Sequence, residues 1–240
     1  MRTLRMRGLL LPILLAACTS AEGTPRGAAG PEGPLVVELF TSQGCSSCPP
    51  ADRLLDKLAG TPMLAPLAFH VDYWDELGWP DPFASPAWTE RQRQYASALG
   101  EGRVYTPELV VGGTQGMVGS NTLLVSTAIG KAPRPALLAA TSTWTSAALE
   151  ITATAPADAD VLVAIWEDGT KTNVPRGENA GETLRGDRVV RRLERVATAG
   201  KRGTLKVDFK AGWKIGGAVA FAQRADKTIV ASAFVPRSLP

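Results

Sequence analysis

The sequence is poor in histidine, cysteine and aromatic residues, and it has no second long apolar run. It contains one histidine and three cysteines among 240 residues, and aromatic residues make up 6% of it. Beyond the N-terminal segment no apolar stretch is long enough to cross a membrane, and no internal repeat is present. These absences exclude a multi-span membrane protein and a repeat array. Apolar residues still make up 45% of the chain, enough for the core of one large or two small domains.

The charge balance gives no basis for nucleic-acid binding. The chain has 26 basic and 23 acidic residues, and removal of Arg2, Arg5 and Arg7 with an N-terminal signal leaves 23 of each. The pI of about 8.9 therefore comes mostly from the N-terminal segment. A protein without excess positive charge lacks the electrostatic footprint of a nucleic-acid-binding domain.

The N-terminus has the pattern of a bacterial export signal. A basic region precedes an apolar run at residues 9–17 that is too short to span a bilayer. The run ends in LAAC, which resembles a lipobox and implies that residues 1–17 are a signal peptide and that Cys18 is lipidated. An ordinary signal peptide, with Cys18 incidental, is the alternative. Because Thr19 follows the cysteine, we expect a periplasmic protein, anchored to the outer membrane through the lipid on Cys18.

Four regions follow the signal. Residues 18–33 are rich in Gly and Pro and predict a flexible tether. Residues 34–135 alternate strand-like and helix-like patterns, which predicts an α/β domain with the order β-α-β-α-β-β-α. Residues 136–146 predict a linker. Residues 147–236 contain β-type runs separated by turns and predict a small antiparallel β-sandwich-like domain.

The predicted elements of the first domain have clear boundaries, whereas one segment of the second is ambiguous. The apolar residues of segment 186–200 fit a helical spacing, but its β-branched residues fit a strand. The first-domain elements are strands at 34–40 and 65–74, helices at 50–60, 85–100 and 121–132, and a strand pair with a Gly-Gly turn at 106–120.

Cys45 and Cys48 lie between a predicted strand and a predicted helix. This strand-CxxC-helix arrangement resembles the thioredoxin fold. A thiol attacks as the thiolate, which N–H groups at a helix N-terminus stabilise, and a second thiol nearby resolves the mixed disulfide. A redox couple, a metal clamp and a structural staple all remain open. The staple adds little, because closing so short a loop contributes roughly 2 kcal/mol against about 5 kcal/mol for a loop of 100 residues.

Three prolines add to this motif. The resemblance to thioredoxin implies that Pro107, which follows Thr106, forms a cis peptide bond and faces the cysteines, leaving the Thr106 backbone free to pair with a bound peptide. Pro49 and Pro50 follow Cys48 directly. Because proline disfavours the α conformation in the preceding residue, Cys48 is predicted to be a helix cap, and we expect weaker activation of the other thiol.

Two groups of residues are candidates for functional roles beside the cysteines, one for proton transfer and one for substrate binding. Glu38 interrupts an apolar strand, and it is a candidate for a buried acid that relays protons to Cys48, as a similarly placed acid does in thioredoxin. An edge or capping role is the alternative. Asp72, Tyr73 and Trp74 end the second strand, where open α/β sheets place their sites, so they are candidate substrate-binding residues. Packing is the alternative for Trp74.

His70 is the one histidine of the chain. Together with Cys45 and Cys48 it would make a ligand set suited to Cu(I) or zinc. A lone histidine in a strand is, however, more often a hydrogen-bonded structural residue. No bound cofactor is expected, and Cu(I) is the alternative.

Several motifs together resemble the bacterial thioredoxin-like family known as domain of unknown function 1223. They are VVELFTSQGCSSCPPAD, FHVDYWDELGWPDPFASP, RQRQYA and VYTPELVVGG. The resemblance implies a thioredoxin-like fold and an exported protein. We expect a thiol–disulfide oxidoreductase that exchanges with a protein substrate and an unknown redox partner. The alternative is a non-enzymatic binding module in which CSSC holds Cu(I) or is a fixed disulfide.

Overall fold

The computed structural model describes residues 30–237 of the chain. The predicted signal peptide (1–17), the predicted lipidation of Cys18 and most of the predicted tether (18–33) lie outside these residues. No helix in the described part is both long and apolar enough to cross a membrane.

The N-terminal half follows the predicted order of strands and helices. A short 3-10 turn at Asp75–Leu77 is added between the second strand and the second helix. The elements are β1 (Leu35–Thr41), α1 (Pro49–Ala59), β2 (Leu64–His70), α2 (Pro86–Ala98), β3 (Glu108–Val111), β4 (Gln115–Val118) and α3 (Thr122–Lys131).

The C-terminal half consists of strands in the described residues. The ambiguous segment is a strand, β11, because its backbone pairs with β8 along its length and with β2 at Val189. The elements are β5 (Ala136–Leu137), β6 (Ala140–Trp144), β7 (Ala148–Thr154), β8 (Asp160–Glu167), β9 (Thr170–Asn173), β10 (Thr183–Gly186), β11 (Val189–Ala197), β12 (Arg202–Asp208), β13 (Ile215–Gln223) and β14 (Ile229–Phe234).

Strands from both halves form one mixed sheet. Its nine strands have the order β4-β3-β1-β2-β11-β8-β13-β14-β5. β1 and β2 are parallel, β3 and β4 run antiparallel to their neighbours, and β11 joins β2 through the pairing of Val189 with Ala68. The sequence predicts two separate domains at 34–135 and 147–236. In the structure one sheet joins these two ranges, because β11 pairs with β2 and β2 is therefore not an edge strand.

The two faces of β1 carry different layers. Leu35, Val37 and Leu39 pack with residues of α1 and α3, whereas Val36 and Phe40 pack with α2 and with strands of the C-terminal half. The alternation follows from the period of two in a strand. Every residue of β1 is buried, so the strand lies at the centre of the molecule.

The predicted tether and linker contain ordered contacts. The Gly33 N–H donates to the Pro135 carbonyl at 2.8 Å, and Glu32 forms an isolated bridge with Ala136. β5 and β6 lie within the predicted linker at 136–146. β6 belongs to a three-stranded sheet, β12-β7-β6, which covers the other face of the C-terminal strands over a shared apolar core.

β9 and β10 form a two-stranded hairpin outside the large sheet. We call residues 170–186 the covering hairpin. It projects from the C-terminal half toward the N-terminus of α1, and residues of α1 and β10 line a common cleft. The hairpin therefore brings residues from the second half of the sequence to the cysteine motif.

Candidate functional site

Cys45 and Cys48 form a disulfide at the junction of β1 and α1. Their Cα atoms are 5.5 Å apart, and the Cys48 N–H donates to the Cys45 carbonyl at 3.2 Å. Both cysteines have 0% of their surface exposed, although Ser46 and Ser47 between them are exposed. The sulfur atoms are therefore shielded from solvent in this conformation.

Cys48 is the N-cap of α1, as the sequence predicts, and Pro49 is the first helical residue. The backbone of Cys48 has a φ of −78° and a ψ of −38°, which are helical angles. The expectation that Pro49 keeps Cys48 out of the α region is therefore wrong. Pro49 and Pro50 have no N–H, and the next two N–H groups, of Ala51 and Asp52, both donate to the Cys48 carbonyl. The positive end of a helix dipole arises from unpaired N–H groups. This N-terminus therefore offers little stabilisation to a thiolate.

The covering hairpin closes over the cysteine loop. The Asn179 Nδ2 donates to the carbonyl oxygens of Gln43 at 2.9 Å and Cys45 at 3.0 Å. The Ser46 N–H donates to the Glu178 carboxylate at 2.9 Å, a bond that lowers the pKa of Glu178. These contacts fix the covering hairpin to the loop that carries the buried disulfide.

The Thr106–Pro107 peptide bond is cis, as the resemblance implies. The Trp74 Nε1 donates to the Thr106 Oγ1 at 2.8 Å. Trp74 also packs against Gly44, where an added Cβ would lie 3.1 Å from the Trp74 Cβ. Trp74 thus bridges the cysteine loop and the proline segment. Within residues 30–237 neither the N–H nor the carbonyl of Thr106 has a protein hydrogen-bond partner.

Asp72 and Tyr73, two candidate substrate-binding residues, bind α2. The Thr89 hydroxyl donates to the Asp72 carboxylate at 2.5 Å, and the Tyr73 hydroxyl donates to the Gln92 Oε1 at 3.2 Å. Burial raises the pKa of Tyr73 to about 12. Of the three predicted residues, Trp74 is the one that these contacts bring to the cysteine loop.

Glu38 lies on the α2 side of the sheet, not on the α1 side. The Arg91 Nε and Nη2 donate to its two oxygens at 2.5 and 2.9 Å, and the Tyr95 hydroxyl donates at 2.5 Å. Burial alone would lower the pKa of Arg91, but the Glu38 carboxylate reverses this effect and raises it. The predicted relay from Glu38 to Cys48 does not match this geometry, because adjacent positions of β1 alternate between the two faces.

His70 lies beside α1 with two carboxylates, Asp81 and Asp52, that the sequence did not indicate as its neighbours. The His70 Nδ1 is 2.6 Å from the Asp81 Oδ2, which also accepts the Gln43 N–H at 2.8 Å. The Thr41 hydroxyl donates to the Asp52 carboxylate at 2.7 Å. Burial alone would lower the pKa of His70, but the Asp81 carboxylate outweighs it and raises the pKa. A carboxylate seven residues after Cys45 in a predicted helix was the available sequence signal.

A second missed feature is a pair of carboxyl groups next to Pro107. Glu108 is fully buried, and the Gln92 Nε2 donates to its Oε2 at 2.6 Å. In the described part of the chain, the Glu108 Oε1 and the Glu101 Oε2 are buried without a hydrogen-bond donor, and both carboxyl groups pack against Gly116. Burial, with the nearby Glu101 carboxylate, raises the pKa of Glu108 to about 8. With a pKa of about 8 the Glu108 carboxyl is mostly protonated at neutral pH, so it has an O–H donor available for the Glu101 carboxylate.

The described residues contain no group of three or more His, Cys, Asp or Glu side chains arranged to hold a metal ion. His70 is directed to Asp81, and Cys45 and Cys48 are joined as a disulfide. The alternative ligand set of these three residues is not assembled in this conformation.

The family described as "Protein of unknown function (DUF1223)" matches residues 36–223. The chain belongs to the DUF1223 family. No curated protein matches it. The crystal structure of protein AGR_C_4864 from Agrobacterium tumefaciens is similar at 30% identity, with a TM-score of 0.67, over 88% of this chain and 98% of that chain.

The structure of HBP35 of Porphyromonas gingivalis is similar to this DUF1223 chain in fold alone. The identity is 14% and the TM-score 0.59, over 88% of this chain and 79% of that chain. With 88% of this chain covered, the likeness in fold includes both halves of the large sheet.

Proposed function

We propose that this DUF1223 protein is an exported thiol–disulfide exchange protein in which Cys45 attacks and Cys48 resolves. The observation that carries the proposal is the Cys45–Cys48 disulfide at the start of α1, connected through Trp74 to a cis-proline segment with an unpaired backbone. The sheet order β4-β3-β1-β2, with α1 and α3 on one face and α2 on the other, supports a thioredoxin-like interpretation of this half.

The exchange proceeds in two steps. The Cys45 thiolate attacks one sulfur of a partner disulfide, so a mixed disulfide forms and the partner's other sulfur leaves as a thiolate. Cys48 then loses its proton and attacks the Cys45 sulfur, which closes the Cys45–Cys48 bond and releases the second partner thiolate. The partner is reduced and the protein oxidised; the reverse sequence transfers the disulfide to a partner dithiol. In either direction the Thr106 backbone pairs with the partner peptide.

Burial of the disulfide requires a conformational step before either reaction. Asn179 donates two hydrogen bonds to the cysteine loop, and Glu178 accepts one from it. At about 0.5–1.5 kcal/mol each, the loss of the two Asn179 bonds favours opening of the covering hairpin by roughly fivefold to 150-fold. A protein substrate therefore has to displace this hairpin to reach Cys45.

Export and anchoring through Cys18 complete the proposal. An oxidising compartment keeps the disulfide intact between reactions, and a lipid anchor restricts the protein to substrates near the membrane. A separate redox partner regenerates the reactive form.

The complete burial of the disulfide favours a second candidate, a non-enzymatic binding module. With both cysteines 0% exposed and two prolines after Cys48, the pair has the environment of a fixed disulfide. In a reduced form, Cu(I) held by the cysteines and His70 is the metal version of this candidate. Loss of Cu(I) uptake in His70→Ala would favour that version.

One experiment separates the two candidates. In the full chain carrying Cys18→Ser, we expect Asn179→Ala to accelerate reduction of the disulfide by dithiothreitol about tenfold, as followed by alkylation of the released thiols. Asn173→Ala, in the same hairpin but bonded to Thr183, is the matched control and leaves the rate unchanged.

A trapping measurement completes this test. Cys48→Ser removes the resolving thiol, so the exchange function predicts a stable mixed disulfide between Cys45 and a peptide disulfide. Failure of this trap, together with equal resistance to reduction in wild type and Asn179→Ala, establishes the fixed-disulfide module instead.

A further inference from the structure

A cleft lies between α2 and the ends of three C-terminal strands, β8, β11 and β13. A helix is about 10–12 Å across and neighbouring strands lie about 4.8 Å apart, so α2 covers only part of its face of the nine-stranded sheet. The cleft has a volume of about 530 Å³, within the range of about 300–1,000 Å³ typical of small-molecule sites. It shares no lining residue with the cysteine loop. The cleft is therefore a separate candidate site.

The inner wall of the cleft is apolar. Trp88 of α2, Leu162 of β8 and Leu193 of β11 line it and pack with the core between α2 and the sheet. The Trp88 ring lies edge-on to the Phe69 ring, with centroids 5.1 Å apart, so it is fixed in its position. An apolar body on a ligand would be removed from water by contact with this wall, which favours binding.

The mouth of the cleft carries more positive than negative charge. The Arg195 Nε lies 3.2 Å from an Asp160 oxygen, and the Arg224 Nε lies 2.6 Å from an Asp158 oxygen, so these four side chains form two ion pairs. Lys227 also lines the cleft, and within residues 30–237 no carboxylate lies close enough to form an ion pair with its ammonium group. One positive charge is therefore left for a ligand.

Lys227 is held in a fixed and unusual position. Its Nζ donates to the Gln94 Oε1 at 2.6 Å, and its carbonyl accepts the Gln223 Nε2 at 2.8 Å. Its φ of 75° lies in the left-handed region, which residues other than glycine rarely adopt and which recurs at ligand sites. Burial lowers the pKa of the Lys227 ammonium, and the Arg91 guanidinium adds to this effect; together they outweigh the nearby carboxylates. An anion beside Lys227 would offset this positive environment.

We propose that this cleft binds a small monocarboxylate with an apolar body, such as a medium-chain fatty acid. The Lys227 ammonium binds the carboxylate, and the apolar body lies against Trp88 and Leu193. An ammonium group has three N–H donors, so Lys227 can keep its bond to Gln94 while it binds the ligand. One unpaired cation matches one carboxylate, whereas a neutral ligand lacks the ion pair. The inference does not depend on the chemistry of the cysteines.

The test is isothermal titration calorimetry at pH 7 on the oxidised full chain carrying Cys18→Ser, with octanoate as the probe and octanamide as its neutral match. We expect one octanoate to bind per chain and octanamide to bind at least about tenfold more weakly, because it cannot form the charge-assisted bond. In Lys227→Gln the affinity for octanoate should fall at least about tenfold, and the affinity for octanamide should change less than about twofold. Lys206→Gln makes the same charge change on the three-stranded sheet and is the matched control; it should bind octanoate like the wild type.

A second variant tests whether the ligand lies in this cleft. Leu193→Trp places a larger side chain on the apolar wall and should weaken binding of both probes at least about tenfold, while urea unfolding confirms that the variant is folded. Octanoate binding that Leu193→Trp leaves unchanged would assign the ligand to another place and overturn the proposal. Equal affinity of the wild type for octanoate and octanamide, wild-type affinity in Lys227→Gln, or no saturable binding of octanoate would each overturn it as well.

Discussion

Replacing Glu108 by glutamine is expected to stabilise the protein at pH 8 and to leave its stability below pH 5 nearly unchanged. In the wild type the buried Glu108 carboxyl lies beside the Glu101 carboxyl, accepts a hydrogen bond from Gln92, and has a pKa raised to about 8 by burial and by Glu101. The glutamine amide reproduces both contacts, because its oxygen accepts the Gln92 N–H and its NH₂ donates to Glu101. The variant therefore keeps the geometry and removes the titration.

The magnitude follows from the pKa difference. The ordinary pKa of Glu108 is 4.5, and in the folded protein it is about 8. Because the folded state binds the proton more tightly than the unfolded state, stability falls as the pH rises through this window. At about 1.4 kcal/mol for each pH unit, the wild type loses at most about 5 kcal/mol of unfolding free energy between pH 4.5 and 8. The variant lacks this slope.

The assay is urea unfolding followed by tryptophan fluorescence at half-unit intervals from pH 4.5 to 8.5. Glu90→Gln serves as the control, since Glu90 is an exposed residue and its removal should not alter the slope. Parallel stability curves for wild type and Glu108→Gln would show that the pKa of Glu108 is not raised by folding.

Two further predictions concern the helix that follows the cysteines and the buried ion pair. Replacing both Pro49 and Pro50 by alanine adds N–H donors to the N-terminus of α1, so the pKa of the Cys45 thiol should fall and the reduction potential of the disulfide should rise. The pH dependence of iodoacetamide alkylation measures this pKa. Equilibration with glutathione measures the potential. Arg91→Leu leaves a buried carboxylate without its partner and should cost about 3–5 kcal/mol in urea unfolding, whereas Arg93→Leu, at an exposed position of the same helix, should change the free energy by less than about 0.5 kcal/mol. An unchanged thiol pKa in the first case, or equal losses in the second, would contradict the reasoning.

The local features of the N-terminal half were predictable from the sequence. The apolar run before Cys45, the prolines after Cys48 and the Gly-Gly turn between β3 and β4 each act over a few residues. Their consequences are the disulfide at a strand–helix junction, the N-cap and the strand pair. Propensity and turn chemistry determine such features without reference to the rest of the chain.

The direction in which Glu38 points was not predictable to the same extent. The alternation of β1 assigns it to one face of a strand that is buried on both faces. Which face meets α1 depends on how the chain crosses the sheet. The partner that makes its burial tolerable, Arg91, lies 53 residues away in α2.

The covering hairpin could not be predicted from local patterns at all. Its contacts with the cysteine loop join residues 132 to 136 positions apart. Residues such as Glu178 and Asn179 lie in a loop rich in glycine and polar side chains, which in isolation indicates a solvent-exposed turn. Only the three-dimensional arrangement gives these side chains partners.

The pairing of β11 with β2 has a consequence for any shortened form of the protein. A chain ending near residue 135 would lose the strand beside Ala68 and the loop above the disulfide together. In such a fragment β2 would be an unpaired edge strand and the cysteine loop would lose its contacts with the covering hairpin. Both changes are expected to favour self-association. The N-terminal and C-terminal halves are thus expected to fold only when they are expressed together.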